Sequence, residues 1–476
     1  MKKDYRKVIR LISVIVLLIA IFILFVRRGS IPKFWEQAQE TVQPVDVSQV
    51  PDEAEGERET GAAEADETSA EEAPSADTSL LTEEKADTTE DDNQPETENV
   101  PEQLQEAENV EAQPEEELSQ EIEASQENEL RLQQYLADDP RTPTEAKGIF
   151  VTGAVAGTQS MMPELVKLVE DTSLNAMVID IKNDAGEITY KMGLPLTEEI
   201  GAEVRYVADM PKLIQELKEK DIYLIARIVA FKDPILAEQK PEYAVKNADG
   251  SVFHDNNDLA WVNPYNENVW DYLIEVSKQA AELGFDEIQY DYIRFSTAKG
   301  IAEADFGTEA AGKTKQDAIN GFLKKAYETL APMGVYVSTD VFGTIICNPT
   351  DGKLIGQDYV EMAKNCDYIC PMVYPSHYVN NAYGIEIPDA KPYELIYAAV
   401  KDGEDLLQEA RDKEENVHIA KQRPWLQAFT ASWVKGYIPY RGNELQKQVQ
   451  GAKDAGVSEW LLWNASNNYD KVKSGL

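Results

Sequence analysis

The stretch Gly284–Phe295, GFDEIQYDYIRF, decides the fold. Period-two alternation puts Glu287, Gln289 and Asp291 on one face of a strand and Ile288, Tyr290 and Tyr292 on the other. An apolar face that packs on helices, opposite a polar face that points inward, suits a strand of a closed parallel barrel. Such an inward polar row costs several kcal/mol unless its members are paired. It therefore marks either a site or a buried salt-bridge network involving Arg227 or Lys182. Immediately upstream, NVWDYLIEVSKQAAELG (Asn268–Gly284) has helical periodicity, giving the helix-then-strand order of a βα unit.

The same alternation repeats outward in both directions. Further β-rich runs are GIFVTG from Gly148, NAMVIDIK from Asn175, IYLIARIVAF from Ile222, VYVSTDVFG from Val335, DYICPMVYP from Asp367, PWLQAFT from Pro424 and EWLLWNAS from Glu459. Helical stretches such as MPKLIQELKEK (Met210–Lys220) separate them. Eight alternations over 144–476 predict an α/β fold, a (β/α)8 TIM barrel. A doubly wound open sheet is the alternative, but no Gly-rich phosphate loop follows the first strand.

Barrel chemistry sits at the carboxyl ends of the strands. The polar and aromatic residues late in each strand are Asp180 and Lys182 on the second, Arg227 on the third, and Gln289, Asp291 and Arg294 on the fourth. They continue with Asp340 on the fifth, Tyr374, Ser376 and His377 on the sixth, Trp425 and Gln427 on the seventh, and Trp463 and Asn464 on the eighth. Asp291 and Asp340 end neighbouring strands.

Upstream the composition changes. Between Glu36 and Pro140, 35 acidic residues face only Arg58, Lys85 and Arg131, so this stretch supplies most of the chain's net charge of −42. Poor in aromatics and rich in Glu, Ala, Thr, Gln and Pro, the linker 36–143 is expected to be disordered and extended, with a possible helical stalk over 116–139. Residues 1–35 hold the apolar run LISVIVLLIAIFILFV (Leu11–Val26), enough for one membrane crossing when Val8 and Ile9 are included. Five cations precede it and two follow immediately. That asymmetry predicts a cytoplasmic amino end and an extracytoplasmic barrel. Such acidity argues against nucleic acid as a partner.

Cys347, Cys366 and Cys370 cannot all pair, and Cys366 and Cys370 are about 13 Å apart on one strand, so buried free thiols are expected. With only His254, His377 and His418 in the chain, a zinc centre is not expected, nor is any other cofactor. A monomer is expected.

WVNPYNENVWDYLIEVSKQAAELGFDEIQYDYIRF, then STDVFG, PMVYPSHY, PWLQAF and LLWNASN, in that order, resemble a family of bacterial domains classed as glycoside hydrolases, (β/α)8 barrels of largely unassigned substrate. The resemblance spans Gly148 to Tyr469. The fourth strand is also similar to the nucleophile strand of the α-amylase superfamily. Its pattern Gly-x-Asp-x-x-Arg-x-Asp falls on Gly284, Asp286, Gln289 and Asp291, with Gln289 in place of Arg. The resemblance implies a nucleophile role for Asp291. Glycosidic cleavage needs a second carboxyl group, and Asp340, which ends the next strand, is the expected acid, with Asp180 as competitor. Under the same resemblance Trp425, Trp463, Tyr374 and Tyr290 are candidate sugar-stacking rings, and His377 a candidate hydroxyl ligand. Together these features lead to the expectation of a membrane-anchored glycoside hydrolase acting on polysaccharide; a non-catalytic carbohydrate-binding barrel and a structural envelope protein are the other classes.

Overall fold

The computed structural model describes residues 139–476, apart from 415 and 416, together with Leu130, Leu132, Tyr135 and Leu136, which are helical. The apolar run, nearly all of the acidic linker and the rest of the expected stalk lie outside the described residues. Among the described residues no helix is long and apolar enough to cross a membrane.

Every expected strand position is occupied. The strands are β1 (Lys147–Val151), β2 (Ala176–Lys182), β3 (Tyr223–Val229), β4 (Glu287–Asp291), β5 (Tyr336–Phe342), β6 (Tyr368–Met372), β7 (Lys421–Gln422), β8 (Trp425–Gln427) and β9 (Trp460–Trp463). All pairings among them are parallel, and β1–β9 and β5–β6 close the ring. The seventh position is split. β7 pairs with the base of β6 and β8 with its end. Between them stands Pro424, which has no N–H to donate to a ladder.

The outer layer is formed by α1 (Met162–Asp171), α2 (Met210–Lys218), α3 (Glu267–Leu283), α4 (Lys315–Leu330), α5 (Tyr359–Ala363), α6 (Pro392–Lys413) and α7 (Gly442–Asp454). Their ends follow local chemistry. Asp209 caps α2 through the Lys212 N–H, and Thr314 and Asp317 form a reciprocal capping box on α4. α3 stops at Gly284, whose φ of 106° only glycine adopts without strain, and the chain turns there into β4.

The inner face of β4 carries two different structures. At the base, Glu287 takes both oxygens to Arg423 Nη1 (2.9 and 2.8 Å) and accepts a bond from the Tyr223 hydroxyl (3.0 Å). Arg423 continues to Glu459 (2.9 Å) and lies 3.5 Å from the centre of the Tyr368 ring. Arg423 and Glu287 are fully buried. The partner of Glu287 is thus Arg423, and neither Arg227 nor Lys182. Tyr290 faces outward, as alternation requires, and its hydroxyl meets Ser277 of α3 at 2.7 Å, so it is not a sugar platform. Of the cysteines, Cys366 and Cys370 are buried and free, whereas Cys347 is exposed, against expectation.

The candidate active site

At the carboxyl ends of β2, β3 and β4 one arginine joins two aspartates. Arg227 Nη1 donates to Asp180 (2.7 Å), while its Nε and Nη2 donate to Asp291 Oδ2 (2.9 and 2.5 Å). The other oxygen of Asp291 accepts the backbone N–H of Tyr292 at 2.6 Å. The guanidinium lies 5.3 Å from the ring centres of both Phe150 and Trp463, which stack on each other at 4.2 Å and 24°. Burial pushes the Asp180 carboxyl up to about 6, opposed by the attraction of Arg227.

Asp340 comes to the same region from β5. The last registered pair of β4 and β5 is Tyr290 with Thr339, so Asp291 and Asp340 follow at one level on neighbouring strands. The indole N–H of Trp425 on β8 donates to Asp340 at 2.7 Å, and Trp425 meets Trp463 edge-on at 5.7 Å. Asp180, Asp291 and Asp340 therefore share one end of the barrel with Phe150, Trp425 and Trp463. All six are buried. In so dry a setting fixed charges interact far more strongly than in water.

Gln289 lies beneath them, its amide 3.6 Å from Cys370 Sγ. Tyr374 and His377 follow β6, edge-on to each other at 5.2 Å, with Ser376 Oγ 2.9 Å from His377 Nδ1. Burial pushes the His377 imidazole down to about 4, so it is neutral at physiological pH.

Four expected ligands are committed elsewhere. Lys182 is paired with Asp233 (2.9 Å) and donates to the Val229 carbonyl, both side chains being fully buried. The cause is a β-bulge: Asp180 registers with Arg227, but Lys182 with Ile228, so the period-two alternation slips and Lys182 leaves the inner face. Arg294 lies between the rings of Trp261, Tyr292 and Phe342 (5.1, 5.0 and 4.8 Å). The Gln427 amide bridges Asp389, the Phe429 carbonyl and the Ser376 N–H, tying loops together. Asn464 donates to the Ala428 and Asn468 carbonyls and accepts from Ser466, which fixes a turn.

Sequence reasoning missed Phe150, because an apolar residue near a strand end carries no polar flag, although it is the one ring of GIFVTG. A groove of about 380 Å³ between α1 and α2, lined by Met162, Leu213 and Lys220 among others, lies on the outer layer and not at the strand ends.

Among solved structures, a hypothetical protein of Ruminiclostridium thermocellum is 41% identical over 40% of this chain and 97% of its own, with a TM-score of 0.38. The PgaB (BpsB) glycoside hydrolase domain of Bordetella bronchiseptica is 13% identical, covering 68% of this chain and 94% of its own at a TM-score of 0.48. An α-galactosidase of Thermus thermophilus is 11% identical, covering 71% and 61% at 0.41. No curated protein matches the chain. Residues 148–469, which hold every group of the site, match one family throughout, and the chain belongs to that family, described as "Putative glycosyl hydrolase domain".

Proposed function

We propose that the protein is a membrane-anchored, extracytoplasmic glycoside hydrolase that cleaves a cell-envelope or environmental polysaccharide, with Asp291 and Asp340 as its carboxyl pair. The observation that carries this reading is the level placement of the two aspartates on adjacent inner strand ends, beside the Trp425 and Trp463 rings. Membership of a glycosyl hydrolase domain family supports the reaction class.

Asp291, which accepts hydrogen bonds from Arg227 and a backbone N–H, either attacks the anomeric carbon or takes a proton from the water that does. Asp340 gives its proton to the departing glycosidic oxygen as the C–O bond breaks. Neighbouring strands are about 4.8 Å apart, which brings two inward side chains at one level within reach of one glycosidic bond. One observation favours a second assignment. Asp180, pushed up to about 6, retains its proton nearer neutrality than an ordinary aspartate and could be the acid instead. Against it, Asp180 is tied to Arg227, which stands between it and Asp291.

Turnover of Asp291→Asn, Asp340→Asn and Asp180→Asn on polysaccharides and on aryl glycosides with activated leaving groups decides between them. Asp291→Asn is expected to lose both activities. Removing the true acid spares the activated substrates, which need little protonation. Equal loss on both substrate types in Asp340→Asn, with sparing in Asp180→Asn, would transfer the acid role to Asp180. Glycan binding by the wild type without any turnover would identify a carbohydrate-binding barrel and refute the hydrolase.

A further inference from the structure

The rings around the site extend beyond it. Trp425, Trp463 and Tyr374 belong to one buried cluster against which Phe429 packs. Phe429 stands edge-on to Tyr374 and His377 at 6.0 and 6.3 Å. On its far side Trp433 stacks almost parallel to it, at 6.0 Å and 18°, and Trp433 is 52% exposed. A row of aromatic side chains thus runs from the aspartates to solvent.

The loop between β8 and α7 that carries Trp433 is held firmly. Buried Asp389 accepts the Gln427 amide (3.1 Å) and the Ile438 N–H (3.3 Å) through its carboxylate, and its carbonyl accepts the Tyr440 hydroxyl (3.1 Å). Thr430 Oγ1 accepts the Tyr440 N–H. Gly436, at φ 89°, lies so close to Ile387 that a Cβ there would fall 2.6 Å from its Cδ1. The exposed indole is therefore presented on a braced loop, at little further ordering cost on binding.

An exposed flat ring suits the apolar C–H face of a pyranose, whose hydroxyls stay at the rim in water. One tryptophan side chain offers about 150–250 Å², far below the roughly 1,000 Å² that a specific protein partner buries. We propose that Trp433, backed by Phe429, is an outer subsite that stacks a sugar unit of a polymeric glycan whose scissile bond lies at the Asp291 end of the ring row. The proposal rests on the glycoside hydrolase reading and adds to it the place, away from the aspartates, where the glycan chain is held.

The test is binding of the full-length chain, in detergent, to arrayed homo-oligosaccharides displayed at two and at six residues. Trp433→Ala is expected to weaken binding of the hexamers tenfold or more while dimers change less than twofold. Trp433→Tyr should restore most of the loss. Tyr397→Ala, which removes an exposed ring on the outer helix α6, should change neither. Unchanged hexamer binding in Trp433→Ala, or equal loss on dimers and hexamers, overturns the subsite while leaving the glycosidase reading intact. Failure of the wild type to bind any arrayed glycan overturns both. If sedimentation shows a dimer that Trp433→Ala dissolves, the ring contacts a second copy and the proposal falls.

Discussion

Burial pushes the Asp180 carboxyl up to about 6 even though Arg227 lies 2.7 Å away, so at neutral pH the folded barrel carries an anion at a cost. The unfolded chain gives up that proton near the ordinary value of about 4. Between about pH 4 and 6 the native state thus binds the proton more tightly. This group's contribution to stability is greatest below that window and declines as the pH rises through it, by ~3 kcal/mol for about two units at most. Asp180→Asn is expected to flatten that decline. Urea midpoints of wild type and variant at pH 4.5 and 7 measure it, and an identical pH dependence in the two would show that Asp180 is not the group responsible. Residue by residue, the placement of Asp180, Arg227, Asp291 and Asp340 at one end of the barrel was legible because each is a charged group late in an alternating strand. Lys182 satisfied the same rule and failed it, since alternation carries no sign of a bulge one residue earlier. The loop contacts of Gln427 and Asn464 were not legible for another reason: amides satisfy backbone groups of loops as readily as they bind sugars, and Asp389 and Ala428, among their partners, are distant in sequence.

The elements themselves were readable from period and capping, and their heights in the barrel were not. On β4 a single alternating row, Glu287, Gln289 and Asp291, passes from a sealed ion pair at the base, through a dry middle, to the Arg227 cluster at the carboxyl end. Period two separates inside from outside but does not distinguish these levels. Only the direction of the strand does so, because charge at the amino end of a barrel serves stability whereas chemistry gathers at the carboxyl end. The Glu287–Arg423 pair spans 136 residues, and nothing local in RPWLQ announces that Arg423 turns inward. Likewise the run read as the seventh strand begins at Pro424 and covers only β8, so β7 just before it was not anticipated. Pro424 separates the two segments, and the base of β6 bonds one and the end of β6 the other.

At the scale of the whole molecule the chain combines a barrel with an upstream portion of opposite character. The reading of residues 1–35 as an anchor and 36–143 as an acidic spacer predicts that protease added to intact cells cuts the spacer; protection there would reverse the proposed orientation. Where the barrel begins is a separate question, and one arginine bears on it. Arg141, three residues upstream of the start expected at Thr144, forms a bidentate pair with Asp367 (2.9 and 2.8 Å) and donates to the Val335 carbonyl (2.8 Å). Its guanidinium also lies 4.2 Å from the centre of the Tyr336 ring, and both partners of the ion pair are nearly inaccessible, with side chains 3% and 7% exposed. Asp367 in turn accepts the Tyr327 hydroxyl and the Val337 N–H, so the clamp joins the segment before β1 to β5, β6 and α4. Removing one partner of a buried pair leaves the other charged and costs about 3–5 kcal/mol. A chain beginning at Thr144 is therefore expected to fold but to unfold at lower urea than one beginning at Pro140, with unchanged denaturant slope. Arg141→Ala in the longer chain should reproduce the deficit. Arg141→Lys should recover only part of it, because an ammonium keeps the charge and loses the fork that matches a carboxylate. Equal midpoints for the two starting points would place the functional boundary of the barrel back at Thr144 and reduce Arg141 to an ornament of the linker.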